Sequence, residues 1–336
     1  MKSALPEGSL PELISPYIKN LIKQTGGESG PIGRQFVYSS TIRYQDMSEK
    51  DPLIEEIHEV APGVIHKYEG RVLWTISRFC ATYCRFCTRG RVVGLPANQS
   101  RSQGETIATK PYLSEEDIKK AVEYIKNTHS VREVVLSGGD PFICAQFYLE
   151  QIVALLVTLQ KNGDLDTIRI HTRAPITNPI SVKDWHLRAI SSIDTPHIVL
   201  HINHAAELTP EVKEIVDRLR KDSHAILLSQ SVLLKGVNDT QDDLLNLFNR
   251  LVKFGIRPYY LHHNDPVYWA REFTVEPERA IKLWQSLRPK LSGLAASAKF
   301  VIDTPHGNGK VVIPDSVWSP DMKTYVDFKE ETHTFF

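Results

Sequence analysis

The sequence lacks a net charge: forty Lys plus Arg stand against forty Asp plus Glu. No overall field would hold the chain on nucleic acid or on an anionic membrane, and neither is expected as a partner. No run approaches the roughly 20 consecutive apolar residues that a membrane span needs. Met1 to Gly8 lead into no apolar stretch, so no signal peptide is expected, and the expectation is a soluble, cytoplasmic protein. Internal repeats and low-complexity tracts are missing as well. Cysteine is scarce, with four in 336 residues, yet three of the four fall within eight residues. That layout makes a poor disulfide framework and a good metal-ligand loop, in a reducing compartment that keeps the thiols available.

What is present is enough apolar residue, 41% of the chain, to bury one barrel-sized core. Residues 1–60 read as a helical extension, because Leu13, Ile14, Tyr17, Ile18, Leu21 and Ile22 keep helical spacing over 11–24 before Gly26 and Gly27 stop it. Segment 28–47 is mixed and gives no reading. From Arg71 onward, short β-rich runs (72–77, 133–136, 168–172, 198–202, 226–231 and 258–262) alternate with amphipathic helical stretches (114–126, 149–160, 210–221 and 240–254). The pattern predicts an α/β fold, a partial (β/α)6 TIM-like barrel over 61–290. A further helix at 277–287 and a short run at 299–303 place an extra strand in a carboxyl-terminal segment, 291–336.

In barrels of this kind the chemistry gathers at the carboxyl ends of the strands. Cys80 follows the first predicted strand, Ser137-Gly138-Gly139-Asp140 the second and Arg173 the third. His201, Asn203 and His204 close the fourth, Gln230 the fifth and Asp265 the sixth. Such convergence is hard to attribute to packing.

The loop Cys80-Ala-Thr-Tyr-Cys84-Arg-Phe-Cys87 has the spacing Cys-x3-Cys-x2-Cys. Three cysteines can hold three corners of a 4Fe-4S cube and leave the fourth iron open to another ligand. Zinc asks for a closed tetrahedron from two ligand pairs, and no second Cys or His pair stands at such a spacing. A thioredoxin-type reading of Cys84 and Cys87 leaves Cys80 unexplained. Cys144 stands alone after the second strand and reads as a small core residue outside the cluster.

This spacing, with an aromatic before the last cysteine, resembles the signature of radical S-adenosylmethionine (radical SAM) enzymes. The resemblance implies a 4Fe-4S cluster on Cys80, Cys84 and Cys87. It also implies S-adenosylmethionine bound at the open iron as the source of a 5′-deoxyadenosyl radical, and an electron donor such as flavodoxin or ferredoxin. Ser137, Gly138, Gly139 and Asp140 are similar to the family turn that meets the methionyl amino group. Gln230 matches a residue that touches S-adenosylmethionine, and His201 would line the same site.

The stretches Cys84-Arg-Phe-Cys87-Thr-Arg89-Gly-Arg91, Leu136-Ser-Gly-Gly-Asp140, Ser229-Gln230-Ser-Val-Leu-Leu-Lys-Gly-Val-Asn-Asp239 and Arg257-Pro-Tyr-Tyr260 resemble lysine 2,3-aminomutase, over roughly residues 50–312. The resemblance implies a lysine in a glycine-rich turn that carries pyridoxal phosphate, and the matching turn is Asp303-Thr-Pro-His-Gly-Asn-Gly-Lys310. Gly307 and Gly309 would let backbone approach a planar cofactor, and an adjacent lysine can form the Schiff base. A Walker A phosphate loop is a poorer reading, because Thr304 and Val311 stand where it needs Gly and Ser or Thr. An exposed turn with a solvated lysine is the ordinary alternative.

Tyr68 and Arg71 match residues near the cofactor phosphate, and an arginine fork suits that dianion. Arg89 matches the arginine that pairs with the substrate carboxylate. Asp265 and Asp303 match two aspartates that bracket the side-chain ammonium of lysine. Two such carboxylates repel each other unless a cation sits between them, so the pair predicts a cationic substrate end.

The implied activity is an amino acid 2,3-aminomutase, an isomerase acting on L-lysine or a close cationic relative. Arginine is an alternative substrate, since His262, His263 and Asn264 precede Asp265 and His306 and Asn308 interrupt the lysine turn. The compact length without a cysteine-rich carboxyl-terminal segment, with Asp51-Pro-Leu, resembles the aminomutase that serves elongation factor P. A pyridoxal-dependent dehydrogenase or lyase remains the other enzyme class. The family often forms dimers, so a homodimer is a further expectation.

Overall fold

The computed structural model describes residues 10–38, 51–94, 112–304, 309–314, 317–321, 323–327 and 331–334. Among these, a 10-stranded sheet runs in chain order. Its strands are β1 (Glu59–Ala61), β2 (Val64–Tyr68), β3 (Arg71–Ser77), β4 (Glu133–Gly138), β5 (Thr167–Thr172), β6 (His197–His201), β7 (Ile226–Leu233), β8 (Arg257–His263), β9 (Lys299–Asp303) and β10 (Lys310–Val312). Strands β3 through β9 pair in parallel. β1 and β2 add antiparallel at one edge and β10 at the other.

Parallel neighbours need long crossovers. Helices Glu115–Asn127, Gln146–Lys161, Asp184–Ser191, Pro210–Asp222, Gln241–Lys253 and Pro277–Leu287 supply them in turn. The chain therefore folds as a partial TIM-like barrel, as its alternating pattern predicts. β9 occupies the stretch expected for the extra strand, and its neighbour β10 carries Lys310.

Local chemistry sets the helix limits. Ser114 and Asp117 form a reciprocal capping box that opens the first crossover helix. Thr209 and Thr240 cap the helices that follow them. The first helix spans Pro16–Gln24 rather than starting at Pro11, because Ser15 accepts the Ile18 N–H and Pro16 stands at the first turn. In residues 51–60 the described structure is one 3-10 turn and the start of β1, not helix. A separate 3-stranded sheet, β11 (Val317–Trp318), β12 (Thr324–Val326) and β13 (Thr332–Thr334), was not foreseen in the carboxyl-terminal segment.

The period-2 alternation of the strands sorts side chains onto two faces. Val72, Trp74 and Ile76 of β3 and Ile168 and Ile170 of β5 pack outward into the main apolar core with Trp284 and Phe300. Arg71 and Leu73, Arg169 and His171, Gln230 and Val232, and Tyr260 and His262 alternate with them and line a central cavity. Across that cavity the Tyr68 hydroxyl, on β2, accepts the Lys310 N–H of β10 at 2.8 Å. The two ends of the open sheet are thus drawn together by a side chain rather than by a ladder.

Candidate active site

A cavity of about 360 Å³ opens at the carboxyl ends of the parallel strands. It gathers Tyr68, Arg71, Cys80, Cys84, Cys87, Arg89, Ser137, Gly138, Gly139, Asp140, His201, Gln230, Asp265, Asp303 and Lys310 on one wall or another. Of the described strand-end residues singled out in the sequence, Asn203 and His204 alone do not face this common space. Cys144 does not line it; that thiol is buried in the apolar core, where burial pushes its pKa up to about 12.

The cysteine loop is braced by the amino-terminal segment. Tyr83 N–H donates to Leu13 O at 2.9 Å, Arg85 N–H to Gln35 O at 2.8 Å, and the Arg85 guanidinium to Leu10 O at 3.1 Å. On the other side, Trp269 Nε1 donates to Cys87 O at 2.9 Å. Arg173 crosses beneath the loop, with Nη1 donating to Cys84 Sγ at 2.7 Å and Nη2 to Gln35 at 2.6 Å and Glu207 at 2.9 Å. Burial raises the pKa of all three thiols, that of Cys87 to about 12, while Arg173 opposes the shift at Cys84.

Gly138 and Gly139 are required by the close approach of the end of β3 and of Phe79, just before the cysteine loop, to the end of β4. A Cβ at Gly138, whose φ is +119°, would lie 2.3 Å from Ser77 O, and one at Gly139 would lie 2.2 Å from Phe79 O. Asp140 departs from expectation. Its Oδ1 accepts from Thr172 at 2.6 Å and Phe142 N–H at 3.0 Å, and its Oδ2 from the Arg173 and Ala174 N–H groups at 2.8 and 2.7 Å. The carboxylate is spent on fastening the ends of β4 and β5 together. Asn203 and His204 are likewise committed elsewhere: Asn203 bonds Gln35 and Val232, and His204 caps the turn at Ala206.

On the opposite wall, β9 and β10 place Lys310 directly across from Asp303. Lys310 Nζ lies 2.6 and 2.8 Å from the two Asp303 oxygens, and His262 Nδ1 lies 3.3 Å from Oδ2. These partners hold the Asp303 carboxyl well below its usual range despite its burial. Asp265 has no hydrogen bond to its carboxylate among the described residues, and burial together with Asp303 raises its pKa to about 7. Arg71 stacks on the Tyr68 ring at 3.8 Å, and a Cβ on Gly309 would come within 3.2 Å of the same ring. Gly307, His306 and Asn308 lie outside the described residues.

Sequence reasoning missed several residues of this cavity. Glu55 forms a two-pronged pair with Arg89, and Lys67 and His171 also line the walls, beside the His262 named from the sequence. Inward parity on β5 was the available signal for His171. For Glu55, which stands in a loop before β1, there was none.

A family profile described as the Radical SAM superfamily matches residues 74–263. The L-lysine 2,3-aminomutase of Methanococcus maripaludis is 33% identical over 93% of this chain and 69% of its own length. That of Clostridium subterminale is 33% identical over 93% and 71%, and that of Acetoanaerobium sticklandii 34% over 91% and 70%. The chain belongs to the lysine 2,3-aminomutase family of radical SAM enzymes.

A lysine 2,3-aminomutase relative is an isomerase, and the radical SAM domain implies S-adenosylmethionine and a 4Fe-4S cluster. The cysteine loop fits such a cluster. Among the described residues, the only three His, Cys, Asp or Glu ligand atoms all within 4.8 Å of one another belong to Asp327, Glu331 and His333. At least one pair of the three cysteine sulfurs therefore lies more than 4.8 Å apart, wider than the roughly 3.8 Å that one tetrahedral zinc ion would impose. No helix among the described residues is long and apolar enough to cross a membrane.

Proposed function

We propose that this enzyme is a pyridoxal phosphate-dependent amino acid 2,3-aminomutase that converts L-lysine, or a closely related cationic amino acid, to the β-amino acid. When bound, the cluster and S-adenosylmethionine supply a 5′-deoxyadenosyl radical, and pyridoxal phosphate supplies a carbonyl for the amino group and a π-system to spread unpaired spin.

Cys80, Cys84 and Cys87 hold the cluster and leave one iron for S-adenosylmethionine. The Ser137 to Gly139 turn, His201 and Gln230 line the S-adenosylmethionine side. Asp140 serves that side indirectly, by fixing the strand ends. Lys310 anchors pyridoxal phosphate, with Tyr68 against Gly309 and Arg71 beside it for the phosphate. In the absence of pyridoxal phosphate, Lys310 is held by Asp303, which keeps the ammonium at the cavity wall.

The observation that carries the substrate assignment is the acidic pair. Asp303 already accepts a lysine ammonium between its oxygens, at 2.6 and 2.8 Å, so its geometry suits that group. Asp265 stands close enough for Asp303 to raise its pKa and lacks a resident partner among the described residues. A second cation between the two relieves their repulsion. Arg89 would hold the carboxylate end, so the two ends of the substrate are fixed while one C–H bond faces the S-adenosylmethionine side.

The test is anaerobic incubation of reconstituted enzyme with dithionite, S-adenosylmethionine, pyridoxal phosphate and a panel of amino acids. L-Lysine is expected to yield β-lysine of unchanged mass. A product of altered mass, or turnover of another amino acid with none from lysine, would overturn the assignment.

A further inference from the structure

Arg89 follows Cys87 by two residues and is half-buried, its side chain 18% exposed, and its partner Glu55, in a chain segment that precedes the barrel, is buried. Arg89 Nε donates to Glu55 Oε2 at 3.1 Å, and Nη2 to Oε1 at 2.6 Å. This is the parallel fork geometry that gives an arginine–carboxylate pair its directional strength. The remaining nitrogen, Nη1, makes no hydrogen bond among the described residues, and Arg89 and Glu55 both line the reaction cavity.

Glu55 is itself held from behind. Arg91 lies 3.5 Å from Glu55 Oε2, 3.0 Å from Asp51 Oδ2 and 3.0 Å from Glu56 Oε1. The order Asp51, Arg91, Glu55, Arg89 is thus an ion-pair chain leading from the pre-barrel segment into the cavity. A guanidinium buried without a counter-charge would cost several kcal/mol and would seek another partner. With two of its nitrogens fixed in one plane, the direction of the third is fixed too.

We propose that Glu55 is a positioning residue, which clamps the Nε and Nη2 edge of Arg89 and so aims Nη1 at the α-carboxylate of the amino acid substrate. The inference rests on the substrate reading above. It implies that the carboxylate is read by an arginine whose charge is already balanced, so that recognition depends on direction more than on net attraction.

The test compares wild type, Glu55→Gln and Glu55→Asp as holoenzymes with cluster and pyridoxal phosphate. Binding of L-lysine and of L-lysinamide, which lacks the carboxylate, is followed by the visible absorption of pyridoxal phosphate, alongside KM and kcat for lysine. Glu55→Gln is expected to weaken lysine binding and raise KM roughly tenfold, the scale of one charge-assisted hydrogen bond. Lysinamide binding should change by less than about threefold, since that ligand lacks the carboxylate at which Nη1 is aimed. Glu55→Asp should recover part of the loss, and it serves alone if the Gln variant fails to fold.

Equal weakening of both ligands, or tighter lysine binding in Glu55→Gln, would overturn the proposal. If wild type binds another amino acid and not lysine, the substrate reading fails instead. The same comparison made with that amino acid and its amide then decides the role of Glu55.

Discussion

Replacing Asp265 by Asn tests the electrostatics of the cavity most directly. Burial and the neighbouring Asp303 carboxylate raise its pKa to about 7 from the usual 3.8. In the unfolded chain the group titrates near its usual value, so between the two values the folded state holds the extra proton. Its contribution to stability is therefore largest at low pH and is lost as pH rises through that window. Each pH unit in the window is worth about 1.4 kcal/mol. From about pH 5 to pH 7 the wild-type penalty grows by about 2.3 kcal/mol, and above that it levels off. Asp265→Asn keeps the shape, has no charge to desolvate and removes the slope. Anaerobic urea unfolding of protein without bound pyridoxal phosphate, followed by tryptophan fluorescence, measures the difference. The variant should gain about 3 kcal/mol on wild type between about pH 5 and pH 8. A gain that does not change with pH, or a loss at the higher pH, would refute the account of Asp265 as an acid whose charge is opposed by desolvation and by Asp303.

Three other outcomes are expected. Serine at Cys80, Cys84 or Cys87 should abolish the four-iron EPR signal of the dithionite-reduced protein, whereas Cys144→Ala should keep it; a full signal in any of the first three would break the ligand set. Gly139→Ala pushes a Cβ to 2.2 Å from the Phe79 carbonyl oxygen, and should cost about 3 kcal/mol or more and reduce iron loading. A wild-type unfolding midpoint would contradict that. Lys310→Ala should lose the visible band of pyridoxal phosphate after dialysis, with the iron content unchanged, and retention of the band would move the anchor elsewhere.

Much of the fold was legible because its signals are local. The run at 299–303 and the helix at 277–287 coincide with the observed elements, and the other strands and crossover helices that were expected differ only by residues at their ends, whereas the crossover helix Asp184–Ser191 was not foreseen. Alternating apolar positions and Ser or Thr caps carry that information within a few residues. β1, β2, β10 and the β11–β13 sheet were not legible, because short antiparallel strands owe their existence to partners rather than to their own pattern. The cavity residues named from sequence do converge, since strand ends in this architecture share one rim.

Roles within the rim were harder to read, and Asp140 shows why. Its place after two glycines suggests a ligand contact, yet its oxygens are taken by Thr172, Phe142, Arg173 and Ala174. Glu55 shows the reverse, an unremarked loop acid that reaches Arg89 across 34 positions.

By itself the sequence determined the cysteine spacing, the order of strands and helices, and the register that sends one face of each strand inward. Those follow from covalent neighbours and from a two-residue or 3.6-residue period. Only the tertiary structure decided which charges meet: Lys310 with Asp303, Arg89 with Glu55, Arg173 with Cys84 and Glu207. Such pairings depend on distances of a few ångströms between segments far apart in the chain. Charge interactions change steeply over that range in a buried site, and no local pattern encodes them.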